Sequence, residues 1–252
     1  MMIDKNYEMG ENERLDDLQC NGYKLLQNTA CFCFGMDAVL LSSFTHVEEN
    51  NILLDMCTGN GVIPILIKGK NPKKKVHYTG IEIQETSYIL ANKNVLLNRL
   101  SQDIHMIKGN VNNLKELIGN TLYDVITCNP PYMNENHGLV NPESAKAIAR
   151  HEILCTLEDI IREASKHLKV KGHMYMIHRP RRLVELFLLM EQYHLEPKVI
   201  RMVHPYADKD ANMVLIEAVK CGNRQLQTLP PLIVYNRDGS YTDELLQKKK
   251  KK

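Results

Sequence analysis

The chain has 252 residues and a formal charge of +2, and this length is enough for one large α/β domain with its own core. Residues 1–10 carry Asp4, Lys5 and Glu8 and lack the apolar stretch of a signal peptide, and no apolar run approaches the ~20 residues of a transmembrane helix. Seven cysteines, an odd number, favour reduced thiols. We therefore expect a cytoplasmic protein without a membrane segment and, since no Cys or Cys/His pairs stand at zinc-site spacing, without a metal.

The N-terminal part, residues 1–30, is polar and mixed in charge, and we predict that it is an extension ahead of the main domain at 31–242. Residues 36–41 predict a helix that begins after the turn residue Gly35. Asp37 is then either an acid in the first helical turn, where the helix dipole favours it, or a residue that faces a ligand. A lysine run precedes the C-terminus, and we predict that 243–252 is a disordered tail.

A strand, a glycine turn and a helix follow one another at 51–68. This order opens a nucleotide-binding βαβ unit. Asp55 ends the apolar strand, and Gly59 and Gly61 lie in the turn. The next predicted strand, 76–83, carries Glu82 near its end, where an acid can accept hydrogen bonds from ribose hydroxyls.

Strands and helices continue to alternate to the end of the chain. The further predicted segments are a helix at 85–99, a strand at 104–110, a strand at 123–128, a loop over the site at 134–150, a helix at 156–168, a strand at 173–178, a helix at 183–193, two strands at 199–204 and 212–218 and an extended segment at 229–235. We predict a mostly parallel seven-stranded sheet, with helices on both faces and an antiparallel hairpin near the C-terminus.

The strand at 123–128 ends in Asn129, Pro130, Pro131 and Tyr132. Neither proline has an N–H for pairing, so the strand opens into a loop. One interpretation is a proline-capped strand with a turn asparagine. The other is a binding site for a flat polar substrate, because ligands of open α/β sheets lie at the carboxyl ends of the strands.

The turn after the first long strand differs from the Gly-x-Gly-x-x-Gly pattern of dinucleotide-binding proteins. Asp55 would place a negative charge where a pyrophosphate should lie. An acid there suits an amine-bearing cofactor, such as the amino acid end of S-adenosylmethionine. Asn110, after the third strand, can hydrogen-bond an adenine edge through its amide.

An exocyclic amine on an aromatic ring is a poor nucleophile because its lone pair is delocalised. The Asn129 side-chain oxygen and the Pro130 carbonyl can accept its two N–H groups and favour a tetrahedral nitrogen. Tyr132 can stack on the ring. Such a site needs no general base with a shifted pKa and works mainly by orientation and electrostatics.

The sequence resembles the bacterial tRNA(Val) adenine-N6 methyltransferases between about Leu18 and Tyr241. The similar segments are 34–41, 55–61, 80–84, 129–132, 147–152, 178–180 and 230–235. The resemblance implies a Rossmann-like class I methyltransferase fold, the cofactor S-adenosyl-L-methionine and N6-methylation of the tRNA adenine just 3′ of the anticodon.

Carried over by position, the resemblance implies catalytic residues within 129–132 and a set of cofactor contacts. With Asp37, Cys57 and Ile83 as additional candidates, the cofactor set is Asp37, Asp55, Cys57, Gly59, Gly61, Glu82, Ile83 and Asn110. The chain departs from the family pattern at Cys57, where a glycine is usual, and at Asn110, where an acid is common.

Basic residues follow the fourth and fifth strands, where they can contact RNA phosphates or simply be solvated. The candidates are Lys146, Arg150, His151, Arg179, Arg181 and Arg182. Two other functions remain open. Asn-Pro-Pro-Tyr also serves glutamine amide methylation of release factors, and the fold can be retained in an RNA-binding protein without turnover.

Overall fold

The computed structural model describes residue 10 and residues 12–29, 34–130 and 155–249. The strands are β1 (Glu13–Asp17), β2 (Lys24–Asn28), β3 (Ile52–Met56), β4 (His77–Glu82), β5 (Ile104–Lys108), β6 (Tyr123–Cys128), β7 (Leu168–His178), β8 (Leu195–His204), β9 (Met213–Lys220), β10 (Gln227–Thr228) and β11 (Leu232–Ile233). The helices are α1 (Met36–Phe44), α2 (Val62–Lys70), α3 (Glu85–Leu97), α4 (Leu114–Ile118), α5 (Leu157–His167), α6 (Leu183–Gln192) and α7 (Asp243–Lys249).

One large sheet runs in the order β10-β8-β9-β7-β6-β3-β4-β5. The pairs between β5 and β7 are parallel, and β9 is antiparallel to both of its neighbours, β7 and β8. Seven long strands form its body, and the two-residue strands β10 and β11 both pair with β8. The predicted mostly parallel sheet with a late antiparallel hairpin is confirmed.

The core lies on both faces of this sheet because successive strand residues point to opposite sides. In β3, Leu53 belongs to an apolar cluster with residues of α1, α2 and α3, whereas Leu54 belongs to a second cluster with residues of α5 and α6. Both leucines are fully buried. The predicted helices on both faces are therefore confirmed.

The N-terminal segment, predicted as an extension, forms a two-stranded hairpin packed on α3. Leu25 and Leu26 of β2 are buried. The Asn94 amide accepts from Leu26 N–H at 2.6 Å and donates to Leu26 C=O at 3.0 Å. The Asn98 amide pairs with Lys24 in the same way, at 2.8 and 2.7 Å. Two side chains one helical turn apart thus take the place of a neighbouring strand.

We expect Asn94→Ala to lower the free energy of unfolding by about 3 kcal/mol, since each buried polar group left without a partner costs ~1–3 kcal/mol. Asn94 is fully buried and also donates to Asn60 C=O at 3.0 Å. Urea denaturation measures the change. Asn92→Ala is the matched control, because the Asn92 amide donates to Tyr88 C=O within the same helix. An equal, small effect of both substitutions would contradict this role of Asn94.

At the C-terminus, the structure differs from the predicted disordered tail over residues 243–249, which form α7. Leu245 is fully buried in the same cluster as α1. Glu244 forms an ion pair with Arg201 at 2.6 Å. The lysine run led to the prediction of disorder, but the segment before it contains Leu245, which packs on the domain.

Candidate functional site

The candidate site lies where the strand order reverses, between β3 and β6. The chain proceeds from β3 outward through β4 and β5, then returns to β6 on the other side of β3. Met56 pairs with Cys128, so the loop after β3 and the segment beginning at Asn129 leave the sheet side by side. Ligands of open α/β sheets bind at such a point.

The loop after β3 contains three left-handed residues: Cys57 (φ 58°), Gly59 (φ 59°) and Gly61 (φ 80°). A Cβ added to Gly61 would lie 2.8 Å from Met106 Cε and 3.4 Å from Ala91 Cβ. A Cβ added to Gly59 would meet no described atom within 4 Å. Gly61 therefore allows close packing inside the protein, whereas Gly59 leaves open space beside the backbone.

The Glu82 carboxylate fixes this loop from the end of β4. One oxygen accepts from Gly59 N–H at 2.8 Å, and the other accepts from Gln84 N–H at 2.8 Å. Glu82 is only 5% exposed. Glu82 therefore holds the backbone of the loop and the segment after β4 at fixed positions beside each other.

Asp55 lies beneath the loop. A residue that contacts the cofactor would need to reach the surface of the loop. It is fully buried, and its two oxygens accept hydrogen bonds from the hydroxyls of Thr58 and Thr127, both at 2.6 Å. Burial raises the pKa of Asp55 from 3.8 to about 7, against the lowering effect of these hydroxyls. The structure thus gives Asp55 a supporting place between the loop and β6.

The raised pKa predicts a pH-dependent stability. Between pH 4 and 7 the folded protein holds a proton on Asp55 that the unfolded chain has lost, so the Asp55 contribution to the free energy of unfolding falls as pH rises to about 7. The pKa difference corresponds to about 4 kcal/mol in total. Urea denaturation at several pH values should show this slope in the wild type and not in Asp55→Asn. The exposed control Asp208→Asn should keep it; a slope retained in Asp55→Asn would contradict the prediction.

Two further cofactor candidates follow neighbouring strands. Ile83 is half-buried directly after β4. Asn110, after β5, caps a 3-10 turn at Val111–Asn113, and its side-chain oxygen accepts from Asn112 N–H at 2.9 Å. The oxygen of the Asn110 amide, which we predicted to hydrogen-bond an adenine edge, therefore takes part in the turn.

The side chain of Asn129 is held by a residue of α1. Its Nδ2 donates to Asp37 Oδ2 at 2.9 Å. Its Oδ1 is buried and has no hydrogen-bond partner among the described residues. Pro130 is buried, and Pro131 and Tyr132 lie outside the described residues. A buried acceptor without a partner is costly, so a hydrogen-bond donor from water or a ligand is expected beside Asn129 Oδ1.

Cys57, the departure from the family pattern, packs away from the open side of its loop. Its side chain joins Cys128 in the apolar cluster on the α5 and α6 face. Burial, reinforced by the neighbouring Cys57, raises the pKa of Cys128. Burial likewise raises the pKa of Cys155. The thiols of Cys128 and Cys155 are therefore protonated at neutral pH.

The predicted basic residues divide into two groups. Arg179 donates to Asn212 C=O at 2.9 Å, Arg182 forms an ion pair with Glu185 at 2.6 Å, and Arg181 is exposed. All three follow β7, at the same sheet edge as Asn129. The others, Lys146, Arg150 and His151, lie outside the described residues.

His178 does not add to this basic group. It ends β7 two residues beyond Met176, the partner of Cys128. Its Nδ1 accepts from Arg179 N–H at 2.8 Å. Burial is the main cause that lowers the pKa of His178 to about 4, and the nearby positive charge of Arg182 is the second cause. The ring is therefore neutral at neutral pH.

Sequence reasoning missed three parts of the site: the Thr58 and Thr127 hydroxyls on Asp55, the neutral His178, and the contact between Asp37 and Asn129. Thr58 lies three residues from Asp55 and is a local signal, whereas Thr127 and the contact between Asp37 and Asn129 join distant parts of the sequence. Over the described ranges, no helix is long and apolar enough to cross a membrane. In those same ranges, no group of three or more His, Cys, Asp or Glu residues could hold a metal ion.

Comparison with known proteins identifies the group to which the chain is similar. A family model described as the methyltransferase small domain matches residues 34–196. The tRNA1(Val) (adenine(37)-N6)-methyltransferase of Porphyromonas gingivalis is 30% identical over 73% of this chain and 72% of its own length. The protein of that name from Pedobacter heparinus is 26% identical over 88% of this chain and 91% of its own length.

Among solved structures, a predicted O-methyltransferase of Agrobacterium tumefaciens matches with a TM-score of 0.68. It is 21% identical, and the match covers 85% of this chain and 95% of that one. This likeness supports the fold alone. Together with the family model and the relatives, it agrees with the sheet order and the glycine loop: the chain belongs to the methyltransferase small domain family and, within it, to the tRNA1(Val) (adenine(37)-N6)-methyltransferases.

Proposed function

We propose that this protein transfers a methyl group from S-adenosylmethionine to N6 of an adenine in tRNA, at the position next to the anticodon of a valine tRNA. The observation that carries the proposal is the buried Asn129 Oδ1, an acceptor without a described partner beside the glycine loop. The names of the relatives support the choice of tRNA as the substrate.

The residues around the loop fit the cofactor. Open space lies where Gly59 lacks a Cβ, and the buried Glu82 stands at the end of β4, where an acid can accept hydrogen bonds from ribose hydroxyls. Gly59, Glu82 and Ile83 would hold the cofactor, with Gly61, Asp55 and Cys57 shaping the loop from below. S-adenosylmethionine, when bound, supplies an electrophilic methyl group.

The chain's own contribution to the reaction is to orient the amine. The Asn129 side-chain oxygen and the Pro130 carbonyl accept its two N–H groups, which favours a tetrahedral nitrogen with its lone pair directed outward. We assign the stacking on the base to Tyr132, the next aromatic residue in the sequence. Because the nitrogen loses its proton after the transfer, no group with a shifted pKa is needed to remove it beforehand. Orientation and fixed dipoles provide the rate enhancement.

The tRNA would be held by basic side chains that follow β6 and β7 in the sequence. The RNA contacts that we propose are Lys146, Arg150, His151, Arg179, Arg181 and Arg182. An adenine in a loop is already partly unstacked, which lowers the cost of moving it into the site. We propose the cytoplasm as the place where the protein meets this substrate.

Two observations bear on the alternatives. The curated relatives are named for tRNA, which favours RNA over a release factor as the acceptor. The departures at Cys57 and Asn110 are the sequence support for a protein without turnover, and in the structure Cys57 packs against the core while Asn110 caps a turn.

Nucleoside mass spectrometry tests the proposed function. The purified protein is incubated with S-adenosylmethionine and either unmodified valine tRNA or a release factor. We expect N6-methyladenosine in the tRNA, at more than one equivalent per enzyme, and no methylated glutamine in the release factor. Methylation of the release factor alone would replace the proposal, and absence of turnover on both would favour a non-catalytic protein.

Arg181 provides a test of the RNA surface. We expect Arg181→Ala to raise the KM for tRNA several-fold with kcat unchanged, and to reduce the slope of log affinity against log salt by about 1. Filter binding at several salt concentrations measures the slope. The matched control is Arg224→Ala, because Arg224 is exposed and follows the antiparallel strand β9 at the opposite sheet edge. An equal effect of both substitutions would contradict a localised RNA surface.

A further inference from the structure

The contact between Asp37 and Asn129 joins two residues that lie 92 positions apart in the sequence. Asp37 stands in the first turn of α1, and Asn129 follows β6. Asn129 Nδ2 donates to Asp37 Oδ2 at 2.9 Å, and Asp37 is only 8% exposed. Asp37, which we predicted as a cofactor contact, thus lies against Asn129, whose side chain we propose binds the target amine.

The two ends of an asparagine amide have similar size and opposite hydrogen-bonding character. A carboxylate only accepts hydrogen bonds, so Asp37 is compatible with one orientation of the Asn129 amide, with the NH2 group toward Asp37. The opposite orientation would set two oxygens against each other and would present an NH2 group to the adenine amine. The observed orientation leaves Oδ1 as the buried acceptor.

Asp37 is itself held in place. Its Oδ1 accepts from Ala38 N–H at 3.0 Å, and the N-terminal turn of α1 favours a negative charge. A Cβ added to Gly35 would lie 2.9 Å from Asp37 Oδ1, so the preceding glycine gives the carboxylate room. The helix is anchored by buried residues such as Leu40 and Leu41. The carboxylate can therefore hold the asparagine without moving.

We propose that Asp37 is a positioning residue that sets the orientation of the Asn129 amide, so that Oδ1 accepts from the target amine. The role of the oriented oxygen rests on the proposed function, whereas the contact itself does not. Asp37 then acts on the reaction through Asn129, and its removal affects turnover more than cofactor binding.

A reciprocal exchange tests the pair. The variants are Asp37→Asn, Asn129→Asp and the double variant with both substitutions. Asn129→Asp sets two carboxylates against each other, and we expect methyl transfer to fall by about 10²-fold or more. Asp37→Asn allows both amide orientations, and we expect a fall of about 2- to 10-fold.

The double variant restores one donor and one acceptor across the contact and leaves a carboxylate oxygen facing the site. We therefore expect it to recover at least about tenfold of the activity lost in Asn129→Asp. Its melting temperature should also recover the several degrees that Asn129→Asp loses. Calorimetric affinity for S-adenosylhomocysteine should stay within about threefold of the wild type in all three variants.

Three results would overturn the proposal. Affinity for S-adenosylhomocysteine that falls in parallel with activity would make Asp37 a cofactor contact. Recovery of the melting temperature without recovery of activity would reduce the contact to a structural role. If neither activity nor melting temperature recovered in the double variant, the two residues would not interact as we propose. A wild-type protein inactive on all RNA would instead contradict the proposed function, and the melting temperatures would still test the pair.

Discussion

Asn129→Ala is expected to reduce methyl transfer to adenine by about 10²- to 10³-fold, the cost of removing one fixed group that stabilises a transition state. The substitution removes the buried Oδ1 that we assign to the amine. The glycine loop and Glu82 do not contact this side chain through any described hydrogen bond, so the affinity for S-adenosylhomocysteine should change by less than about threefold.

Single-turnover methylation of valine tRNA and calorimetric titration measure the two quantities separately. Asn223→Ala is the matched control, because Asn223 is exposed beyond the end of β9, and it should change neither. Equal losses of activity and cofactor affinity in Asn129→Ala would refute the role of Asn129 in binding the amine.

Gly59→Ala should mainly lower cofactor affinity, whereas Gly61→Ala should mainly lower stability. Both residues have positive φ, so an alanine costs about 1–2 kcal/mol at either position. The Cβ of Gly61→Ala also meets Met106 and Ala91, which adds about 1–3 kcal/mol of overpacking. Gly61→Ala should therefore be the less stable variant in urea denaturation.

At Gly59, the added Cβ enters the space that we assign to the cofactor. We expect the Kd for S-adenosylhomocysteine to rise at least about tenfold in Gly59→Ala. Gly22→Ala is a matched control, because Gly22 has φ +71° and open space around its Cβ position in the N-terminal hairpin. It should lose stability without losing affinity. Loss of affinity in Gly61→Ala alone would place the cofactor elsewhere.

Much of the fold could be predicted because its signals are local. Strands β3 and β6 are short, mostly apolar runs, and the turn after β3 contains two glycines close together in the sequence. The position of Asn129 at a strand end followed from the two prolines. In each case, neighbouring residues decide the outcome.

The features that were missed depend on partners far away in the sequence. The hairpin strand β2 is held by Asn94 and Asn98, 68 and 74 residues further on. The Asp55 carboxylate meets the Thr127 hydroxyl across 72 residues. An acid at a strand end looks the same in a sequence whether it faces a ligand or lies beneath a loop, and only the packing distinguishes the two.

Asn94 and Asn98 of α3 also cover the edge of β2 that does not pair with β1. An isolated two-stranded hairpin offers an open edge that can pair with a strand of another chain. Here the N–H and C=O groups of Lys24 and Leu26 are already occupied by the Asn98 and Asn94 amides. Without the two amides, the backbone groups of Lys24 and Leu26 could pair with a strand of another chain. We therefore expect substitution of Asn94 and Asn98 to increase aggregation as well as to loosen the N-terminal hairpin.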